Sequence, residues 1–227
     1  MYKESTIPML SLRFDDGYAD FITGYKPILD SFDIHVSVCI LVAMLGIYGY
    51  MTWEQVKELY NFGHEIIAHG LTDVDVSILE RKEAIDHIRG TKTIIQSHGI
   101  DCQNYVPHKA AAWHDFIRDI GRMFYSSVHC GGVDPVKGIN PKIYDCYNMY
   151  AVCGDLGASW IANNSIGVDE VKKSLDIVKS ENRWLIYYLH FYSEDKGRGL
   201  TEIINYALEN SIKIVTINEG LCLSKNC

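Results

Sequence analysis

Met9-Leu10-Ser11-Leu12-Arg13-Phe14-Asp15-Asp16-Gly17 is an apolar run of strand length halted by two carboxylates and a glycine. Its first part, Met9 to Phe14, reads as a β-strand, and from Tyr18 to Ser31 the apolar positions return near the helical period, with Pro27 expected to kink that helix. On its own, Asp-Asp-Gly commonly does no more than make a turn. Two adjacent carboxylates point in divergent directions, however, so one can hold a cation while its neighbour accepts a proton.

The same alternation continues outward. Strands are expected at His35 to Val42, Glu65 to Ala68, Cys102 to Val106, Met123 to Val128, Trp184 to His190 and Ile212 to Ile217. Helices are expected after the Thr52 cap, from Ser77 to His98 with Gly99 as its stop, and over Trp113 to Gly121, Val168 to Lys179 and Leu200 to Asn210. The Gly131-Gly132 pair and Pro135 to Pro141 read as loop. Strand and helix thus alternate about seven times with no linker, which makes the chain an α/β protein of one domain spanning residues 1–227. A closed or nearly closed barrel of somewhat under eight repeats is expected, and a doubly wound open sheet is the alternative. Both architectures place their sites at the C-terminal ends of the strands. Those ends carry Asp15-Asp16, His69, Pro107-His108 and His190. Asp73 stands four residues after His69, which on a helical turn brings two ligands to one face, while Asp75 suits the cap of the following helix.

Composition narrows the partners. Of 227 residues 48% are apolar and 22% charged, enough for a large core. The 21 basic and 29 acidic side chains leave a net charge of -8, so no basic field exists to draw a phosphate backbone, and nucleic acid is not expected as a partner. No apolar run approaches the ~18–20 residues that a membrane span needs. Met1 to Pro8 lacks the apolar core of a secretory signal, and the seven cysteines include no Cys-x-x-Cys pair, so a cytoplasmic setting without a disulfide framework is expected.

Taken in order, Phe14-Asp15-Asp16-Gly17, the segment Tyr50-Met51-Thr52-Trp53-Glu54-Gln55-Val56, Gly63-His64-Glu65-Ile66 leading into His69, and Leu189-His190 resemble the polysaccharide deacetylases, the nodulation-type carbohydrate esterases of family four. The likeness runs over roughly residues 8 to 220. It implies a deformed (β/α) barrel that binds one divalent metal ion and hydrolyses acetyl groups on amino sugars, oligosaccharides or polysaccharide precursors. It also implies Asp15 as general base, Asp16 and His69 as metal ligands with Asp73 in the place of a second histidine, and His190 as general acid. An oxyanion-binding N–H is implied near Pro107-His108.

Three departures stand out. An aspartate at position 73 would make a two-carboxylate, one-imidazole set that shifts preference from zinc towards manganese, iron or magnesium, unless His108, His114 or His129 moves in. The family's Arg-x-Pro-x-Gly reads Tyr105-Val106-Pro107-His108-Lys109, without its base-orienting arginine. Its Asp-x-Trp, which tunes the histidine acid, has only Asp155, Ser159 and Trp160 near the expected place, at the wrong spacing. The expected function is therefore metal-dependent carbohydrate deacetylation; a catalytically degenerate glycan-binding relative and a small-amide hydrolase on the same fold compete with it.

Overall fold

A computed structural model describes residues 1–110, 119–120, 123–130, 138–155 and 166–226. Seven parallel strands close on themselves: β1 (Met9–Phe14), β2 (Ser37–Leu41), β3 (Glu65–Gly70), β4 (Asn104–Tyr105), β5 (Ser126–Cys130), β6 (Met149–Cys153) and β7 (Trp184–Leu189). The closing pair is β7 with β1, in register from Trp184↔Met9 to Leu189↔Phe14. The expected seven-repeat barrel stands, with one exchange of members. Met149–Cys153 is a barrel strand, whereas the segment expected as the last strand pairs only at Lys213–Ile214, on the lower end of β1. Thr216 then caps a helix over Ile217–Leu223 through a capping box with Glu219.

The barrel is deformed for a reason visible in the register. β1 meets β2 only through Arg13↔Ser37 and Phe14↔Val38, because its lower half is paired with Lys213 and Ile214. Likewise β7 pairs with β6 at Tyr187 and Tyr188, while its lower end pairs antiparallel with Ile139–Asn140.

Alternation along each strand sorts the side chains into two cores. Leu10, Leu12 and Phe14 of β1 and Leu185, Tyr187 and Leu189 of β7 face the outer helices. Met9, Cys39, Ile67, Val106, Val128, Cys153, Ile186 and Tyr188 fill the interior. The outer layer includes α1 (Lys26–Ser31), α2 (Trp53–Phe62), α3 (Arg81–Ser97), α4 (Val168–Glu181) and α5 (Glu194–Glu209). Pro27 falls in the first turn of α1, directly after a π-helical turn over Phe21–Tyr25, so the helix expected over Tyr18 to Ser31 changes its winding just before the proline. Thr52 and Gln55 close a capping box on α2, and Asp75 caps the short turn before α3. The helix expected over Trp113 to Gly121 and the Gly131-Gly132 loop lie mostly or wholly outside the described residues.

The bottom of the barrel is shut by α6 (Ile217–Leu223). Its first amides donate to Ser37 Oγ (2.9 Å, from Ile217) and Glu65 Oε2 (3.1 Å, from Asn218). Ser37 Oγ and Asn104 Nδ2 also donate to the buried Glu65 carboxylate, at 2.7 and 2.5 Å. The opening therefore lies at the other end, where the strands finish.

Candidate active site

On five of the seven strands the inward-facing row ends, at or just past the top of the strand, in a carboxylate or an imidazole. Asp15 follows Arg13, His69 follows Ile67, His108 follows Val106, Asp155 follows Cys153 and His190 follows Tyr188. Asp16 alone is out of phase. It joins the group because its backbone is left-handed (φ 73°), a conformation that Asp tolerates better than most residues at a cost of about 1–3 kcal/mol. His69 is aimed by a register shift, in which Ile40 pairs with Ala68 but Leu41 pairs with Gly70.

Asp16, His69 and His108 converge. Asp16 Oδ1 lies 3.2 Å from His69 Nε2 and 3.4 Å from His108 Nε2. The other nitrogen of His69 sits 2.8 Å from the Val106 carbonyl, an acceptor, so Nδ1 carries a hydrogen and Nε2 is the nitrogen turned to the carboxylate. Asp16 Oδ1 is buried and makes no hydrogen bond among the described residues. A buried carboxylate oxygen without a hydrogen bond, faced by two imidazole nitrogens, offers a place for a cation. One oxygen and two imidazole nitrogens within 4.8 Å of one another are a donor set that a divalent transition metal fits.

Asp73 is not in this triangle. Its Oδ1 receives Lys109 Nζ at 2.8 Å and faces His108 Nδ1 at 3.5 Å, with over half of the side chain exposed. Asp73 thus stands behind the imidazole of His108, and His108, expected near the oxyanion, points into the triangle instead. Pro107 has no N–H, so it supplies no oxyanion donor itself. Of the other histidines considered, His114 and the His129 side chain lie outside what is described.

Asp15 is gripped by Arg13 from the same inward row: Nε donates to Oδ1 at 2.8 Å and the guanidinium Nη2 to Oδ2 at 2.7 Å. Both side chains are essentially inaccessible (0% and 2% exposed), and the guanidinium lies over the Tyr188 ring at 4.4 Å. Burial pushes the Asp15 carboxyl up, but Arg13 and the nearby histidines pull it below its ordinary value, so it is ionised. Asp15 thus has a guanidinium partner although position 105 is a tyrosine.

His190 Nδ1 is hydrogen-bonded to Asp155 Oδ2, and Lys196 Nζ of α5 reaches Asp155 Oδ1 at 2.5 Å. Its Nε2 faces Asp16 Oδ2 at 4.0 Å. Burial disfavours the imidazolium, but Asp155, Asp15 and Asp16 outweigh it and raise the His190 pKa. The partner that spacing failed to supply is therefore present. A Cβ on Gly154 would stand 2.0 Å from the Tyr187 hydroxyl, and its absence lets the end of β6 bring Asp155 under His190. Ser159 and Trp160 lie outside the described residues.

The polysaccharide deacetylase family model matches residues 2–120, more than half of the chain. The chain belongs to the polysaccharide deacetylase family. It is by kinship a carbohydrate deacetylase-like hydrolase. Solved structures agree on the fold. The Bc1960 peptidoglycan N-acetylglucosamine deacetylase is similar at 14% identity, with 100% of this chain and 94% of that one covered and a TM-score of 0.69. A family 4 acetyl xylan esterase from Clostridium thermocellum, solved with a cobalt ion, is 16% identical over 95% of this chain and 91% of that one, TM-score 0.66. BA3943 from Bacillus anthracis, a pseudoenzyme of the family, is 13% identical over 97% and 68%, TM-score 0.69. A search of curated proteins gave no significant match. Among the described residues of this deacetylase-family chain, no helix is long and apolar enough to cross a membrane.

Because Asp155 fixes the tautomer and orientation of His190, Asp155→Asn is expected to lower kcat roughly 10–100-fold with KM little changed. Steady-state kinetics of acetate release check this; an equal rise in KM would point to a damaged binding site instead.

Proposed function

We propose that the chain is a divalent-metal-dependent hydrolase that removes acetyl groups from an amino sugar or oligosaccharide, with Asp16, His69 and His108 as the metal ligands. The observation that carries this reading is the convergence of three possible ligand atoms on one buried point, flanked by an arginine-held carboxylate and a carboxylate-held histidine. Two imidazoles and one carboxylate favour zinc, iron or cobalt more than the carboxylate-rich set expected with Asp73 would have done.

A divalent ion held there supplies a Lewis acid for the acetyl carbonyl and makes a water more acidic. Asp15, fixed at both oxygens by Arg13, is positioned to accept the proton of the attacking water. His190, its Nδ1 engaged by Asp155, presents Nε2 to the opening and delivers a proton to the departing nitrogen or oxygen. The shut bottom of the barrel and the buried flanks of the site keep bulk water from the buried charges.

The pseudoenzyme among the similar structures makes the degenerate reading a live competitor, and the retained Asp15–Arg13 and His190–Asp155 pairs support the active one. Acetate release from N-acetylglucosamine oligomers and acetylated xylo-oligomers tests it. Activity is expected to vanish on chelation and to return with added zinc, cobalt or manganese. Turnover unaffected by chelation, or none with any of these ions, would overturn the proposal.

A further inference from the structure

His190 stands on a short connection, since Phe191, Tyr192 and Ser193 alone separate it from α5. The backbone on both sides of the histidine is held. Before it, the Leu189 carbonyl accepts from Asp15 N at 2.9 Å. After it, the Phe191 carbonyl accepts from the Tyr25 hydroxyl at 3.2 Å and from Lys196 Nζ at 2.9 Å, and the Tyr192 amide donates to Asp20 Oδ2 at 2.8 Å.

Asp20 and Tyr25 both belong to the π-helical turn that follows Asp15-Asp16-Gly17, the first as its N-cap and the second as its last residue. The bond that makes the turn π-helical runs from Lys26 N to Phe21 O. Where each amide reaches back five residues, side chains five apart stand nearly one above the other, whereas on an α-helix of 3.6 residues per turn they would be about 140° apart. Only the wide turn therefore brings Asp20 and Tyr25 to bear on the same two residues. Tyr192 is wedged against it: its ring meets Tyr25 edge-on at 5.1 Å, and a Cβ on Gly24 would stand 2.2 Å from it. Such turns are rare and occur often at functional sites.

We infer that Asp20 and Tyr25 are positioning residues for His190, and that the π-helical turn exists to hold the backbone just after the general acid so that Nε2 faces the reacting groups. Asp155 and Lys196 fix the other side of the same unit. The inference rests on the reading of His190 as the acid that protonates the departing nitrogen or oxygen. It adds a second tie between the segment that carries Asp15 and Asp16 and the one that carries His190.

Leaving-group dependence is the test, because an N-acetyl group departs as an amine that needs a proton, whereas p-nitrophenolate leaves p-nitrophenyl acetate without one. Tyr25→Phe is expected to lower kcat on N-acetylglucosamine oligomers roughly 3–10-fold and Asp20→Ala roughly 10–100-fold. KM, zinc affinity and turnover of p-nitrophenyl acetate should stay within about twofold of the parent. Asp20→Asn keeps an oxygen for the Tyr192 amide and is expected to restore most of the rate. Equal losses on the amide and the ester, or no loss on the amide, would overturn the inference. If no substrate releases acetate, the deacetylase reading falls by itself, and the downfield proton resonance of the His190–Asp155 hydrogen bond, assigned by its absence in Asp155→Asn, decides. Broadened in Asp20→Ala and Tyr25→Phe, it upholds the positioning; unchanged in both, it overturns it.

Discussion

His108→Ala is expected to abolish acetate release and metal binding together, whereas Asp73→Ala should keep both in weakened form. The reason is geometric. His108 Nε2 faces Asp16 Oδ1, while Asp73 meets the opposite nitrogen of the same ring and shares its oxygen with Lys109. Asp73 lies 3.5 Å from that nitrogen without hydrogen-bonding to it, so its loss should cost no more than the roughly 10–100-fold in metal affinity typical of an outer-shell partner. Loss of the imidazole removes one of three ligands and should cost more. Calorimetric titration of zinc or cobalt into the metal-free protein separates the two variants. Equal losses would contradict the assignment, and a larger loss in Asp73→Ala would restore Asp73 as the ligand.

The Arg13–Asp15 pair carries the second large effect. Asp15→Asn is expected to lower kcat by about 10²–10⁴-fold, the usual contribution of a positioned proton acceptor, with metal affinity retained. Arg13→Met leaves a buried carboxylate without its counter-charge, and breaking one side of a buried ion pair costs about 3–5 kcal/mol. A large fall in the urea midpoint is expected, and the double variant Arg13→Met/Asp15→Leu should recover much of it. Arg13→Lys keeps the charge but not the planar fork that holds both oxygens, so it should fold better than Arg13→Met yet turn over about 10²-fold more slowly than the parent. Full activity in Arg13→Lys would show that charge alone suffices.

Most of the fold was legible because a barrel strand followed by a helix leaves a repeating pattern, and the stop at Asp15-Asp16-Gly17 recurs in kind at His69, His108 and His190. The errors have physical causes. Met149–Cys153 faces the interior through Met149, Ala151 and Cys153, which are flexible or small, and its single β-branched residue gives little strand signal. With that strand unseen, Asp155 did not register as a strand-end residue, although it stands two past Cys153 as Asp15 stands two past Arg13. Ile212 to Ile217 looked like a strand, yet Thr216-x-x-Glu219 is a helix-cap signature that divides it.

Linear spacing placed Asp73 beside His69 for a reason the structure does not share. His69 and Asp73 are four apart, but the chain between them leaves β3 through Gly70 at φ 154° and does not form a helix, so the i, i+4 argument has no helix to act on. The third corner comes from just past the end of β4, thirty-nine residues along, and is found by following the inward row from Val106 to His108. Arg13 was hidden by its place inside an apolar strand, where it counted towards the core and not the site.

The most direct test of the account is a crystal structure grown with zinc or cobalt, with the ion placed by its anomalous signal. The account predicts one ion bonded to Asp16, His69 and His108, with Asp73 outside the coordination sphere. An ion held by Asp73 in place of His108, or bound elsewhere while Asp16 and His69 hold none, would contradict it.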